Sequence, residues 1–84
     1  MLDGISLEVR IAGLIRNVLV ERSMERTVST DDDLRDVGLT SLDMVSLVLL
    51  VEAEFDVRIP ESKITPANFR SIRAMSALIS ELLP

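Results

Sequence analysis

The chain lacks the residue types on which most enzyme sites depend. It contains no cysteine and no histidine, which excludes disulfides, thiolate nucleophiles and the commonest metal ligand. Tryptophan and tyrosine are also absent, and Phe55 and Phe69 are the only aromatic residues. We therefore expect an aliphatic core, no catalytic residues and a protein that is not an enzyme.

Glycine is scarce, and the acidic residues do not form a recognisable metal site. Three glycines in 84 residues leave no glycine-rich phosphate loop. The run Asp31-Asp32-Asp33 lacks the glycine and the distant glutamate of a calcium loop. We interpret it as a solvated or helix-capping run and predict no metal site.

Charge and hydropathy limit the classes of partner. The net charge is −5 and the isoelectric point is about 4.5, which disfavours binding to nucleic acid. Between Asp31 and Glu61, nine acids oppose only two bases, so this segment suits a basic partner surface. The longest apolar run, Leu47 to Val51, is far shorter than the roughly 20 residues of a membrane span. We expect a single cytoplasmic domain over residues 1–84.

Hydrophobic spacing predicts an all-α fold with three longer helices and one short helix. The longer helices are expected over about Ile5–Arg22, from Thr40-Ser41 to Phe55, and after an N-cap at Ser71. A short helix is expected from Pro60 towards Ile64. The loop between the first two helices is long and contains several apolar residues, so we expect it to be pinned to the core. Within this loop, Thr30 and Asp33 resemble a capping pair for one helical turn.

The second long helix carries more apolar surface than one face can bury in so small a domain. Val45 and Leu49 are four residues apart and share a face with Ser41. Exposed apolar patches tend to mark interaction sites. We predict that at least one of these two side chains is exposed and serves partner binding.

The segment from Asp36 to Pro60 contains the one motif that suggests a function. By itself, Gly38 followed by Ser41 describes either a turn with a serine N-cap or a serine presented at a helix start, where backbone N–H groups favour a phosphate. The wider pattern resembles the acyl carrier protein family, and the resemblance extends over essentially the whole chain. The matching positions are Gly38, Ser41, Leu42, Asp43, Glu52, Phe55, Ile59 and Pro60.

This resemblance implies a four-helix bundle that carries a covalent prosthetic group. It implies that Ser41 bears 4′-phosphopantetheine, which a separate phosphopantetheinyl transferase takes from coenzyme A. The thiol of that arm would hold acyl intermediates as thioesters. A loading ligase and downstream acyl-transfer enzymes are the other expected partners. The expected partner-binding residues are Thr40, Leu42, Asp43, Val45, Leu49 and Glu52.

Departures from the common family pattern favour a dedicated carrier. Thr40 stands where the family usually has aspartate, Ser46 and Ala53 replace frequent acids, and Arg35 places a base in a usually acidic loop. Residues 64–72 are similar to small carriers that receive amino acids. An aminoacyl or peptidyl carrier is therefore the first alternative. The second is an unmodified helical interaction module in which Ser41 only caps a helix.

A sheltered cargo would need a cavity between the helices, and we expect an aliphatic lining for it. The candidate lining residues are Ile15, Val18, Val45, Val48, Ile64, and Ile72 or Met75.

Overall fold

The computed structural model describes residues 6–24 and 26–83, and within these ranges it contains helices and no strand. This confirms the predicted all-α architecture with three longer helices and a short one. The elements are α1 (Leu7–Glu21), α2 (Leu34–Val37), α3 (Ser41–Phe55) and α4 (Ile72–Leu82), with a 3-10 turn at Glu61–Lys63. The predicted first residue of α1, Ile5, lies outside the described residues.

Serine side chains set the beginnings of α1 and α4. The Ser6 hydroxyl accepts a hydrogen bond from the Val9 N–H, and the predicted N-cap Ser71 accepts one from the Ala74 N–H. Each cap satisfies one of the N–H groups that a helix leaves without an internal partner. Both helices therefore begin where the sequence supplies a capping hydroxyl.

The short helix α2 lies in the long loop, where the sequence predicted one helical turn. The segment after Pro60 forms only the 3-10 turn. Asp33, and not Thr30, is the N-cap of α2. Gly38 ends α2 with φ +116°, a conformation that side chains with a Cβ rarely adopt. The glycine thus turns the chain directly into the start of α3.

The core is aliphatic and lies between α1, α3 and α4. Helix α1 packs against both α3 and α4, and the buried side chains form one hydrophobic cluster. Phe55 and Phe69 contribute the two aromatic rings of this cluster, and the Arg10 guanidinium lies 4.4 Å from the centroid of the Phe55 ring. The most deeply buried side chains are Ile11, Ile15, Leu19, Leu34, Leu47, Val51, Ile72, Met75 and Ile79.

The long loop is pinned to the beginning of α4, as expected. The Leu34 N–H donates to the Arg70 carbonyl at 2.8 Å, and the Arg73 N–H donates to the Thr30 carbonyl at 3.1 Å. The Arg73 guanidinium also pairs with the Asp31 carboxylate. These contacts hold α2, and with it the start of α3, against the rest of the molecule. In the described part of the chain, the helices are too short or too polar to cross a membrane.

Candidate functional site

The first turn of α3 is fixed by a reciprocal capping box. The Thr40 hydroxyl accepts the Asp43 N–H at 3.4 Å, and the Asp43 carboxylate accepts the Thr40 N–H at 2.7 Å. The same carboxylate oxygen also accepts the Thr40 hydroxyl at 3.0 Å. Thr40 therefore supplies the capping oxygen at the beginning of α3 through its hydroxyl.

Asp43 is buried, and its Oδ2 atom accepts all the hydrogen bonds that the structure describes for this carboxylate. Besides Thr40, it accepts a hydrogen bond from the Arg22 guanidinium at the end of α1. Burial would raise the pKa of Asp43, but the Thr40 and Arg22 hydrogen bonds and the Arg22 charge outweigh it, so its pKa lies below the usual range. The carboxylate links α1 to α3 and so fixes the first turn of α3, in which Ser41 lies. Its predicted role in partner binding remains a prediction.

Ser41 is the first residue of α3 and is exposed. Because Thr40 provides the cap, the Ser41 hydroxyl is not used for this purpose, and it makes no hydrogen bond to any other described residue. The alternative in which Ser41 only caps the helix is therefore wrong, because Thr40 is the N-cap of α3. A free hydroxyl at the N-terminus of a 15-residue helix is well placed to carry an anionic group, since the helix dipole and the first N–H groups favour negative charge there.

Ser41 opens onto a cleft of about 1020 Å³ between α3 and the segment before α4. The cleft has an apolar wall and two guanidinium groups. Its lining comprises Arg35, Leu39, Thr40, Ser41, Met44, Val45, Val48, Ile64, Thr65, Pro66, Ala67, Phe69 and Arg70. An elongated group attached to Ser41 fits this geometry, because it can lie along the cleft or extend from it into solvent.

The predicted cavity lining is correct in part. Val45, Val48 and Ile64 line the cleft. Ile15, Val18 and the pair Ile72 and Met75 do not line it and are buried in the core, although Ile15 also borders a second cleft of about 490 Å³ beside α1. The reason is that α1 packs directly on α3 and α4, which fills the space between the three long helices and leaves the cleft at their edge.

An exposed apolar face begins immediately after Ser41. Leu42, Val45 and Leu49 are 79%, 57% and 63% exposed, which confirms the prediction that at least one of Val45 and Leu49 is exposed. Their spacing of three and four residues places them on one side of α3. This surface is next to the free hydroxyl, so a protein that covers it also reaches Ser41.

Glu52, the remaining predicted partner-binding residue, is half-buried and bonds within the chain. Its carboxylate accepts the Ile59 N–H at 2.8 Å. This contact fixes the extended segment that leaves α3. The two acids predicted for the partner face of α3, Asp43 and Glu52, therefore both stabilise the fold, and the exposed part of that face is apolar.

The acidic run has structural partners of three different kinds. Asp31 pairs with Arg73, Asp32 accepts the Ser29 N–H at 2.9 Å, and Asp33 caps α2. Their hydrogen bonds with arginine lower the pKa values of Asp31 and Asp33. Over residues 6–24 and 26–83, the acidic side chains form no group of three that would hold a metal ion.

Sequence reasoning missed the contribution of arginines to this site. Arg22 holds Asp43, while Arg35 and Arg70 line the cleft beside Ser41. Arg22 is 21 residues from its partner in sequence, and no local spacing rule connects the two. The unusual base at position 35 was a visible signal, although no sequence pattern connects it with Arg70.

Comparison with known families shows the class of protein to which the chain belongs. The family described as "Phosphopantetheine attachment site" matches residues 10–79. The chain belongs to this family of phosphopantetheine-dependent carrier proteins. As a carrier protein it bears covalently attached 4′-phosphopantetheine, which confirms the resemblance to acyl carrier proteins.

Two curated relatives of this carrier protein are aminoacyl carriers from Bradyrhizobium diazoefficiens. Aminoacyl carrier protein 2 is 43% identical over 76 residues, covering 90% of this chain and 85% of the relative. Aminoacyl carrier protein 1 is 46% identical over 70 residues, covering 83% and 78%. Both are thus similar along nearly the whole domain.

Solved structures with the same fold contain a carrier protein bound to a ligase. One is Bradyrhizobium japonicum glycine:[carrier protein] ligase with its cognate carrier protein and an analogue of glycyl adenylate, with 42% identity and a TM-score of 0.77 over 90% of this chain and 99% of the other. A second holds the ligase with glycylated carrier protein, with 44% identity and a TM-score of 0.75 over 87% and 99%. In a third, an engineered ligase binds a carrier protein from Agrobacterium tumefaciens, with 26% identity and a TM-score of 0.69 over 86% and 99%.

Proposed function

We propose that this carrier protein holds an amino acid as a thioester on a phosphopantetheine arm attached to Ser41. The observation that carries the attachment site is the Ser41 hydroxyl, which is exposed at the start of α3, free of the helix cap and open to the cleft. The cargo class is supported by the relatives, which are named as aminoacyl carriers at 43% and 46% identity.

Attachment of the arm requires a partner enzyme that supplies a base. The Ser41 oxygen attacks a phosphorus atom of the coenzyme A pyrophosphate and forms a phosphodiester, and adenosine bisphosphate leaves. The serine proton must pass to the phosphopantetheinyl transferase, because this chain has no histidine and the nearby carboxylate of Asp43 is already bonded to Thr40 and Arg22. The arm then supplies a thiol, which a chain without cysteine does not otherwise have.

The loading partner is a ligase that activates an amino acid and transfers it to the thiol. Relatives of this chain are bound to a glycine:[carrier protein] ligase. In this chain the exposed side chains of Leu42, Val45 and Leu49 are the surface that such a partner would cover. We propose that the carrier protein contributes position and recognition, and that its partners perform the catalysis.

An acyl carrier with a long-chain cargo is the second candidate, and the size of the cleft is the observation that favours it. The cleft of about 1020 Å³ has apolar walls formed by Met44, Val48 and Phe69, among others. A buried methylene contributes about 0.8 kcal/mol. The charged ammonium of an amino acid, in contrast, resists burial in such a cleft.

Loading assays and thermal stability distinguish the two cargo classes. The arm-bearing protein is incubated with ATP and either a purified amino acid:[carrier protein] ligase or a fatty acyl ligase, and intact mass reports the cargo. We expect amino-acid loading, and we expect the same melting temperature for chemically loaded forms with two-, eight- and sixteen-carbon acyl groups. A melting temperature that rises along the acyl series, with loading by the fatty acyl ligase only, would contradict the aminoacyl proposal and favour the acyl carrier.

A further inference from the structure

Two arginines share the cleft with Ser41 and give its rim a positive charge. Arg35 lies on α2, and Arg70 lies just before the N-cap of α4. The Leu34 N–H donates to the Arg70 carbonyl at 2.8 Å, so the two segments are joined next to the cleft. Both residues line the cleft that Ser41 opens onto. This hydrogen bond therefore holds the two arginine-bearing segments together beside the cleft.

The positive rim interrupts the most acidic part of the molecule. Between Asp31 and Glu61, Arg35 and Arg58 are the only bases, and of these two only Arg35 lines the cleft. A carrier that needed only a uniformly acidic surface for its partners would gain nothing from a base at this position. The position of Arg35 therefore indicates that the cleft receives an anion.

Both guanidinium groups are available to such an anion. The Arg35 side chain is 73% exposed, and its ion pair with Asp33 is long, at 3.4 Å. The guanidinium end of this long pair is exposed, so the pair contributes little to stability, and Arg35 can turn to another anion while Asp33 keeps the hydrogen bond from the Arg35 N–H. The Arg70 side chain is exposed and makes no hydrogen bond or ion pair to the other described residues.

We propose that Arg35 and Arg70 bind the phosphodiester that joins the arm to Ser41 and thereby set the direction in which the arm leaves the protein. The planar guanidinium groups match the oxygens of a phosphate, and the N-terminus of α3 adds its own attraction for negative charge. This inference rests on the proposed attachment at Ser41. It goes further because it assigns to the two arginines the role of holding the phosphodiester in position.

Side-chain NMR of the arginines tests this assignment without measuring activity. Apo protein is converted to the arm-bearing form with coenzyme A and a transferase, and the Nε–Hε resonances are compared. We expect the resonances of Arg35 and Arg70 to shift, and that of Arg58, an exposed arginine away from the cleft, to stay unchanged. Salt at about 1 M, where the screening length is about 3 Å, should diminish the shifts. Unchanged resonances at both cleft arginines would overturn the proposal.

Matched variants give a second, independent readout. We expect the arm to raise the melting temperature of the unaltered protein and of Arg58→Gln by a few degrees at low salt. The double variant Arg35→Gln/Arg70→Gln should lose this gain, and retention of the full gain would overturn the proposal. Intact mass shows separately whether Ser41 has received the arm, so failure of attachment is distinguishable from failure of arginine binding.

Free coenzyme A is the other source of phosphate that could reach these arginines. The variant Ser41→Ala, which cannot receive the arm, is therefore titrated with coenzyme A while the same resonances are followed. We expect no shift at Arg35 or Arg70 with coenzyme A equimolar to the protein. A shift as large as the one caused by the attached arm would mean that the arginines serve the incoming cofactor, and it would overturn the assignment to the linkage.

Discussion

Replacement of Asp43 by asparagine tests whether the buried carboxylate holds the start of α3 together. The carboxylate accepts two hydrogen bonds from Thr40 and one from Arg22. Hydrogen bonds to a charged group contribute about 1.5–3 kcal/mol, against about 0.5–1.5 kcal/mol for neutral ones. Because the Arg22 side chain is 42% exposed, solvent weakens the ion pair, and most of the loss comes from the bonds to Thr40. We expect Asp43→Asn to lower the free energy of unfolding by about 2 kcal/mol, equivalent to roughly 8–16 °C in melting temperature.

The same substitution has a pH signature. The pKa of Asp43 is lower in the folded protein than its usual value, which is about 3.9. The stability that the carboxylate contributes is therefore fully present above this value and is lost as the pH falls through the folded pKa. Urea unfolding followed by circular dichroism at pH 7 and at successively lower pH values should show the gap between the unaltered protein and Asp43→Asn closing only below about pH 4.

Asp36→Asn is the matched control for this prediction. It makes the same chemical change at an exposed carboxylate that forms no hydrogen bond or ion pair with the other described residues. We expect its free energy of unfolding to change by less than about 0.5 kcal/mol. If Asp43→Asn were as stable as Asp36→Asn at pH 7, or if the gap persisted unchanged to low pH, the carboxylate would not be the group that holds this turn.

Further substitutions test the turn before the site, the partner surface and the core. Gly38→Ala should cost about 1–3 kcal/mol of unfolding free energy in urea titrations, because φ is +116° and the Met24 methyl group would have to move away from the new Cβ; unchanged stability would contradict this. Leu49→Glu should leave stability within about 0.5 kcal/mol and reduce ligase kcat/KM about tenfold, equal to 1.4 kcal/mol. Val9→Glu, at a similarly exposed α1 position, should leave both the stability and the ligase kcat/KM unchanged. A loss of kcat/KM as large as that of Leu49→Glu would refute the role of the α3 surface in partner binding. Leu47→Ala, in the closed core, should cost about 2–5 kcal/mol, and a loss well below that would contradict its packing role.

The three long helices were predictable because each combines an apolar period with a capping residue. The predicted bounds of α3, ending at Phe55, and the cap of α4 at Ser71 agree with the structure. For α2 the capping pair predicted one helical turn in the loop but not its bounds, since four residues are too few to show a period. Its only local signals are Asp33 before it and Gly38 after it.

The candidate site was predictable from the sequence to the extent that it depends on local order. The beginning of α3 at Thr40-Ser41 and the exposure of at least one of Val45 and Leu49 follow from positions in one helix, whereas the local pattern left open whether Ser41 caps that helix. Whether a carboxylate faces outward or inward depends on groups that are distant in sequence, and Asp43 faces Arg22 for this reason. The cleft lining was predicted only in part, because the apolar spacing of a single helix does not determine how α1 packs against α3 and α4.

Intact mass measurement after treatment with coenzyme A and a promiscuous phosphopantetheinyl transferase tests the central claim most directly. Apo protein, Ser41→Ala and Ser46→Ala are compared, since Ser46 is an exposed serine on the same helix. We predict that the unaltered protein and Ser46→Ala each gain the mass of one phosphopantetheine and that Ser41→Ala gains none. A gain by Ser41→Ala, or no gain by the unaltered protein, would contradict attachment of the arm at Ser41.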